Sequence, residues 1–131
     1  MFVPVVRFRV DFGVDEAVGP GKITLLEQIG RGGSLSQAAR NLKMSYRRAW
    51  QLLESVNNCF REPAVVTRKG GRGGGGAALT PFGRELISSY RAFDAEVQAL
   101  AARSFGGLTG KARGRVPGKR AAAPVRRLNQ R

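Results

Sequence analysis

Apolar residues recur at three- and four-residue steps in three segments between Lys22 and Phe60. This is the period of helices that bury one face. It predicts helices over about Lys22–Gly30, Leu35–Leu42 and Ser45–Asn58. The third helix has one apolar stripe, formed by Ala49, Leu52, Leu53, Val56 and Phe60. Three short helices with brief connections predict a compact three-helix core.

Serine residues mark the starts of the second and third helices. Ser34 is followed three residues later by Gln37, which is the spacing of a capping box whose two side chains each satisfy a backbone N–H. Ser45 is a second good N-cap residue, and Asn41–Met44 form the break between the helices. This is the spacing of a helix-turn-helix motif. In that motif the start of its second helix, here the third helix of the chain, meets base edges and phosphates.

Polar and cationic residues at these two helix starts are candidate contacts to double-stranded DNA. They are Ser45, Tyr46, Arg47, Arg48 and Gln51 of the third helix and Ser34, Ser36 and Gln37 of the second. This segment alone leaves open an ordinary amphipathic helix whose outward arginines are merely solvated.

Alternating residues predict short strands on either side of the core. Apolar side chains alternate with polar ones from Val6 to Phe12, which predicts a half-buried strand. No segment nearby offers a partner edge, so we expect this strand to pair with the later hairpin or with a second copy. Ala64–Arg68 and Ala77–Leu79 read as the two strands of that hairpin.

The loop between those strands, KGGRGGGG, would carry Lys69 and Arg72 to a phosphate or into the minor groove, as the wing of a winged helix does. Gly71, Gly73 and Gly76 also match G-x-G-x-x-G, but a dinucleotide site requires a helix to open immediately after the loop. A single short RGG-type RNA-binding segment is a further alternative. We favour the wing.

Thr80 and Pro81 form an N-cap and first-turn pair that starts the longest helix, expected over about Pro81–Arg103. Its apolar residues follow a heptad seam: Leu86, Tyr90, Phe93, Val97 and Leu100. Such a helix would extend roughly 35 Å, more than a three-helix core can cover. We expect the same helix of another copy to cover it in a homodimer. A helix that folds back on its own domain is the alternative.

Charge strengthens the nucleic-acid interpretation. The 131 residues carry 23 Lys and Arg against 9 Asp and Glu, a net charge of +14. Eight of the basic residues lie between Gly106 and Arg131, which leaves fifteen basic against nine acidic residues, a net +6, on the rest of the chain. From Leu108 onward the composition is too poor in large apolar residues to form a core. We expect a disordered basic tail that binds phosphates without sequence preference.

The chain lacks the residues that several classes of function and location require. The chain has no histidine and one cysteine, Cys59, which excludes an internal disulfide framework and a His/Cys metal cage. Cys59 is expected to be buried or half-buried. No nucleophile motif occurs, so we expect neither an enzyme nor a cofactor. No apolar run is long enough to span a membrane, and the start lacks the features of a secretory signal, so a cytoplasmic setting is expected.

Three motifs together resemble the N-terminal DNA-binding domain of the ModE family of molybdate-responsive transcription regulators. They are SYRRAW over Ser45–Trp50, the pair Asn57 and Asn58, and GGRGGGGAALT ending at Thr80. The family's usual forms are close to SYKxAW, MN and TGGKGGGGAxLT, and the resemblance covers roughly Val6–Leu100.

The resemblance implies a winged helix-turn-helix, related to the LysR-type domain, that dimerises through its long helix and N-terminal strand. It implies that Ser45, Tyr46 and Arg47 open the recognition helix, that Arg72 takes the place of the wing lysine, and that Trp50 is a core residue. Arg47 stands where the family has lysine and adds a planar fork that can pair bidentately with guanine.

The chain also departs from the family. Members that sense molybdate carry C-terminal oxyanion-binding domains after the long helix, whereas this chain continues into the basic tail. We therefore expect no binding of molybdate or another oxyanion by this chain. The alternative is a sensor that binds an oxyanion at the basic wing.

The expected fold is mainly α with a small β component, a winged helix-turn-helix. It divides into an N-terminal strand arm (1–20), a DNA-binding domain (21–80), a dimerisation helix (81–105) and a basic tail (106–131). The leading functional hypothesis is a homodimeric, sequence-specific transcription regulator. A nonspecific nucleic-acid-binding or architectural protein driven by the tail is the main alternative.

Overall fold

A computed structural model describes residues 3–13, 16–68 and 76–113 of the chain. In these ranges the elements are β1 (Val10–Gly13), β2 (Glu16–Val18), α1 (Pro20–Gly32), α2 (Leu35–Asn41), α3 (Tyr46–Cys59), β3 (Val65–Thr67), β4 (Ala77–Leu79), α4 (Pro81–Phe105) and a 3-10 helix (Gly106–Lys111). β1 pairs with β2, and β3 pairs with β4, each antiparallel. This is the mainly α winged helix with a small β component that the sequence predicts.

The α1 helix lies at the centre of the core. Its residues Ile23, Leu25, Leu26 and Ile29 are fully buried, and the helix contacts α2, α3 and α4. Proline at the first helical position extends α1 two residues beyond its predicted start. At the other end, Gly33 has φ +70° and donates its N–H to the carbonyl oxygen of Ile29 at 2.8 Å. The three-helix core is confirmed.

The predicted caps of α2 and α3 are present, with one difference. Ser34 Oγ accepts the N–H of Gln37 at 3.1 Å, and Ser45 Oγ accepts the N–H of Arg48 at 3.0 Å. The prediction that the Gln37 side chain also satisfies a backbone N–H is wrong. Its amide bonds instead to Arg40 and Asn41, further along the same helix.

The N-terminal strand finds its partner locally, which corrects the expectation that no neighbouring segment could pair with it. β1 pairs with β2, with Val10 opposite Val18. The segment before β1 lies along α4 instead of extending the strand. Phe8 stacks on Tyr90 there with ring centroids 5.1 Å apart, and the Tyr90 hydroxyl donates to the Phe8 carbonyl oxygen at 3.3 Å.

The residues of the predicted heptad seam on α4 fall into a buried part and an exposed part. Leu86 and Tyr90 are buried in the core of their own chain, whereas Phe93 is 48% and Leu100 is 53% exposed. Val97 is half-buried. The seam that remains free for another copy is therefore narrower than expected. Beyond Phe105, the 3-10 helix Gly106–Lys111 occupies the first part of the expected disordered tail.

A bidentate ion pair joins α1 to α4. Arg91 Nε lies 2.8 Å from Glu27 Oε2, and Arg91 Nη2 lies 2.9 Å from Glu27 Oε1. The hydrogen bonds from Arg91 lower the pKa of Glu27 below its ordinary value of 4.5. The charged carboxylate is thus favoured in the folded state. The pair stabilises the fold above pH 4.5, and this contribution is lost as pH falls through the lowered pKa.

We expect Glu27→Gln to lower the melting temperature at pH 7 by a few degrees, because a partly exposed pair contributes about 0.5–1 kcal/mol. The difference from the wild type should disappear in acid, when Glu27 itself is protonated. Thermal melts by circular dichroism from about pH 7 to about pH 3 measure this. Glu85→Gln, at an exposed position of α4 with no ion pair among the residues that the structure describes, is the control. A deficit that persists in acid would contradict the assignment.

Candidate nucleic-acid interface

The α3 helix directs its first turn away from the core. The Ser45 cap fixes where the helix begins, and Ala49, Leu53 and Val56 are buried on one face. These residues hold α3 against α1 and α2. Because that face is occupied, the opposite face of α3 must point to solvent.

Four of the predicted DNA contacts are exposed at the start of α3. Tyr46 is 55% exposed, and Arg47, Arg48 and Gln51 are also exposed. Their side chains form no hydrogen bond or ion pair within the described residues. The first turn of α3 contains no acidic residue to offset the partial positive charge of a helix N-terminus. This arrangement suits phosphate oxygens and the acceptor atoms of base edges.

Two of the three candidates at the start of α2 are already engaged within the protein. Ser34 Oγ is occupied by its cap, and Ser36 is half-buried. Gln37 is exposed, but its amide accepts from Arg40 Nη2 and donates to Asn41 Oδ1, both at 2.9 Å. These bonds orient Arg40, an exposed cation that was not among the sequence-based candidates.

The hairpin of β3 and β4 follows α3, where the sequence predicts the wing. Arg68 N–H donates to the Gly76 carbonyl oxygen at 2.9 Å, which closes the strands on either side of the tip. Ala77 N–H donates to the Gly33 carbonyl oxygen at 2.9 Å and ties the start of β4, at the end of the hairpin nearest its tip, to the loop before α2. Lys69 and Arg72 lie outside the described residues.

Asn57 connects the end of α3 to the start of the hairpin. Its Oδ1 accepts the N–H of Ala64 at 2.8 Å, and its Nδ2 donates to the carbonyl oxygen of Val65 at 3.2 Å. One side chain thus sets the position of β3 relative to α3. Its place in the paired asparagine motif was the only sequence signal for this role, which spacing alone does not reveal.

Trp50 corrects one assignment that the resemblance implied. The side chain is 38% exposed and is not part of the buried core. Ala49 and Leu53 occupy the inward positions of this part of α3, and at about 100° per residue Trp50 falls beside the stripe. Its position places it near Tyr46, one turn earlier.

Other chemistry is sparse in the parts of the chain that the structure describes. Cys59 is half-buried as expected, and burial raises the pKa of its thiol. Across residues 3–13, 16–68 and 76–113, no group of three His, Cys, Asp or Glu side chains could hold a metal ion. No helix in these ranges combines the length and apolar character that a membrane span requires.

The chain is similar to several curated proteins, although no protein-family model matches it. It is 42% identical over 93 residues to the molybdenum transport protein ModE of Azotobacter vinelandii, covering 71% of this chain and 34% of that protein. It is 45% identical over 83 residues to the molybdenum-pterin-binding protein MopB of Rhodobacter capsulatus, covering 63% and 31%. It is 41% identical over 71 residues to the DNA-binding transcriptional dual regulator ModE of Escherichia coli K12, covering 54% and 27%.

These similarities confirm the resemblance drawn from the sequence motifs. The chain spans about a third of the length of the relatives it matches. Through the region that it shares with them, the chain belongs to the ModE family.

Proposed function

We propose that the chain is a sequence-specific DNA-binding transcription regulator, with α3 in the major groove and the glycine-rich wing on the backbone or in the minor groove. The observation that carries the proposal is the cationic start of α3, which is exposed and free of partners in the described structure. A relative named as a DNA-binding transcriptional dual regulator supports it. Base edges supply specificity in such a complex, and phosphates supply affinity.

We propose further that the protein acts as a homodimer. Phe93 and Leu100 lie seven residues apart on α4 and are each about half exposed. An apolar groove of about 230 Å³ runs beside Phe93 and is lined mainly by Val10, Phe12, Val18, Leu86 and Tyr90. A second α4 seated along this surface would bury it. Two α3 helices about 34 Å apart would then read a pseudo-palindromic site.

Selection of bound sequences from random duplex DNA tests the proposal. Recovery of a pseudo-palindromic site is expected, and competitor DNA of unrelated sequence should displace that duplex poorly. Removing residues 114–131, which contain six of the basic residues, should lower affinity for all DNA and flatten its dependence on salt while leaving the sequence preference intact. Complete loss of binding by the shortened protein would favour the nonspecific, tail-driven alternative.

The dimer surface has its own test. The double variant Phe93→Asp, Leu100→Asp should shift the protein to monomer in light scattering and weaken dimerisation by roughly 30-fold or more, because it places charges in an apolar contact. Ala95→Asp adds a charge on the opposite side of α4, at an exposed position, and should leave the dimer intact. An unchanged oligomer in the double variant would contradict the α4 seam.

The proposed regulator neither catalyses a reaction nor binds an oxyanion. Two of the relatives are named for molybdenum transport or molybdenum-pterin binding, and those names describe those proteins. Titration of this chain with molybdate is expected to leave its melting temperature unchanged. A rise in the melting temperature would add an oxyanion to its ligands.

A further inference from the structure

Trp50 is an exposed aromatic side chain on the helix that we propose enters DNA. It is the only tryptophan in the chain, and 38% of its surface is exposed. Large aromatic rings on a protein surface are typical of contact sites, where they contribute large apolar area with little conformational freedom to lose. This ring, at the edge of the cationic face of α3, is therefore a candidate contact.

Trp50 lies at the edge of the candidate DNA surface, between that surface and the buried stripe of α3. Tyr46 lies four residues before it and Arg47 three residues before it, so all three side chains lie near one another on α3. Gln51 follows directly and is also exposed. The packing of α3 on the core is provided by other positions, Ala49, Leu53 and Val56.

The indole ring has neither a hydrogen-bonded nor an aromatic partner within the described residues. Its N–H forms no hydrogen bond within the described residues, and the ring takes part in none of the aromatic pairs found there. An indole N–H that serves a structural role is normally hydrogen-bonded. The exposed part of the ring thus remains available to a ligand, and its N–H is not used within the described residues.

We propose that Trp50 is a specificity residue of the DNA interface and that its ring contacts the 5-methyl group of a thymine in the major groove. This inference rests on the proposed function. Among the base edges exposed in that groove, the thymine methyl is the apolar group, whereas the other recognition positions are hydrogen-bond donors or acceptors. Arg47 and Gln51 beside the ring would bond to neighbouring polar positions, so one helix turn would read both kinds of signal.

The fluorescence of Trp50 tests the proposal in the unmodified protein. Because no other tryptophan contributes, acrylamide quenching of the emission reports the exposure of this one ring. We expect quenching to fall several-fold when the protein binds the selected duplex, while the anisotropy of a labelled duplex reports binding independently. Binding without a change in quenching would overturn the role of Trp50 and leave the proposed function standing. Absence of binding would count against the proposed function itself. Strong shielding in the DNA-free protein would also overturn the role of Trp50.

Replacing single thymines of the same duplex by uracil removes one methyl group at a time. The wild-type protein should lose roughly fourfold in affinity at one position of each half-site, which is the effect of one buried methyl group. Trp50→Ala should show no such loss at that position, whereas Trp50→Phe should keep part of it. Circular dichroism confirms that each variant is folded. Equal losses for wild type and Trp50→Ala would overturn the thymine contact.

Discussion

Replacing Arg47 with alanine should weaken binding to the selected duplex by roughly 5- to 150-fold, the effect of losing one bidentate contact to guanine. Binding to nonspecific DNA should weaken much less. The guanidinium is exposed, lies in the first turn of α3 and has no partner within the described residues, so all of its donors are free to bind DNA. Anisotropy titrations with specific and nonspecific duplexes at one salt concentration measure both losses.

A matched control separates contact from charge. Arg103→Ala removes the same charge from an exposed position in the last turn of α4. It should affect both duplexes alike and only slightly. If Arg47→Ala reduced specific and nonspecific binding equally, Arg47 would contact only the phosphate backbone, and sequence discrimination would have to come from other residues.

Gly83→Ala should destabilise the fold by about 3 kcal/mol, which would lower the melting temperature by more than about 10 °C. A Cβ atom at Gly83 would overlap the carbonyl oxygen of Ala64, because α4 begins directly against the chain that leads into β3. That carbonyl cannot easily withdraw, since it also accepts the N–H of Thr80 at 2.9 Å. Thermal and urea unfolding both measure the loss.

Gly21→Ala is the natural comparison for this substitution. Gly21 lies in the first turn of α1 with open space around its Cα, so alanine should be neutral or stabilising by up to about 1 kcal/mol. A Gly83→Ala protein that melted like the wild type would mean that α4 and β3 can separate without cost. The wing and α4 would then be less firmly joined than the contacts indicate.

The parts of the fold that could be predicted from sequence are those set by local signals. Ser34, Ser45 and Thr80 each cap a helix as predicted, because a serine or threonine oxygen needs only the N–H groups of the next turn. The outward face of α3 followed in the same way from its period. Arg47, Arg48 and Gln51 are exposed because the apolar stripe occupies the other side.

The parts that could not be predicted depend on contacts between distant segments. β2 is three residues long, too short for alternation to be visible, so its pairing with β1 left no local signal. Leu86 and Tyr90 are buried by the core and the N-terminal arm, and a heptad pattern does not reveal which neighbour covers it. Trp50 lies beside the apolar stripe, and the period alone does not show on which side of that boundary its ring falls. Lys69 and Arg72 remain predictions.

The side chain of Gln98 holds the N-terminal arm in one register. Its Oε1 accepts the N–H of Val6 and its Nε2 donates to the carbonyl oxygen of the same residue, both at 2.9 Å, so the amide imitates one rung of a β-ladder. Alternate residues of an extended chain point to opposite sides, so a slip of one position would turn Phe8 outward and Arg7 toward Tyr90. This single amide therefore fixes the register that keeps the aromatic side of the arm against α4.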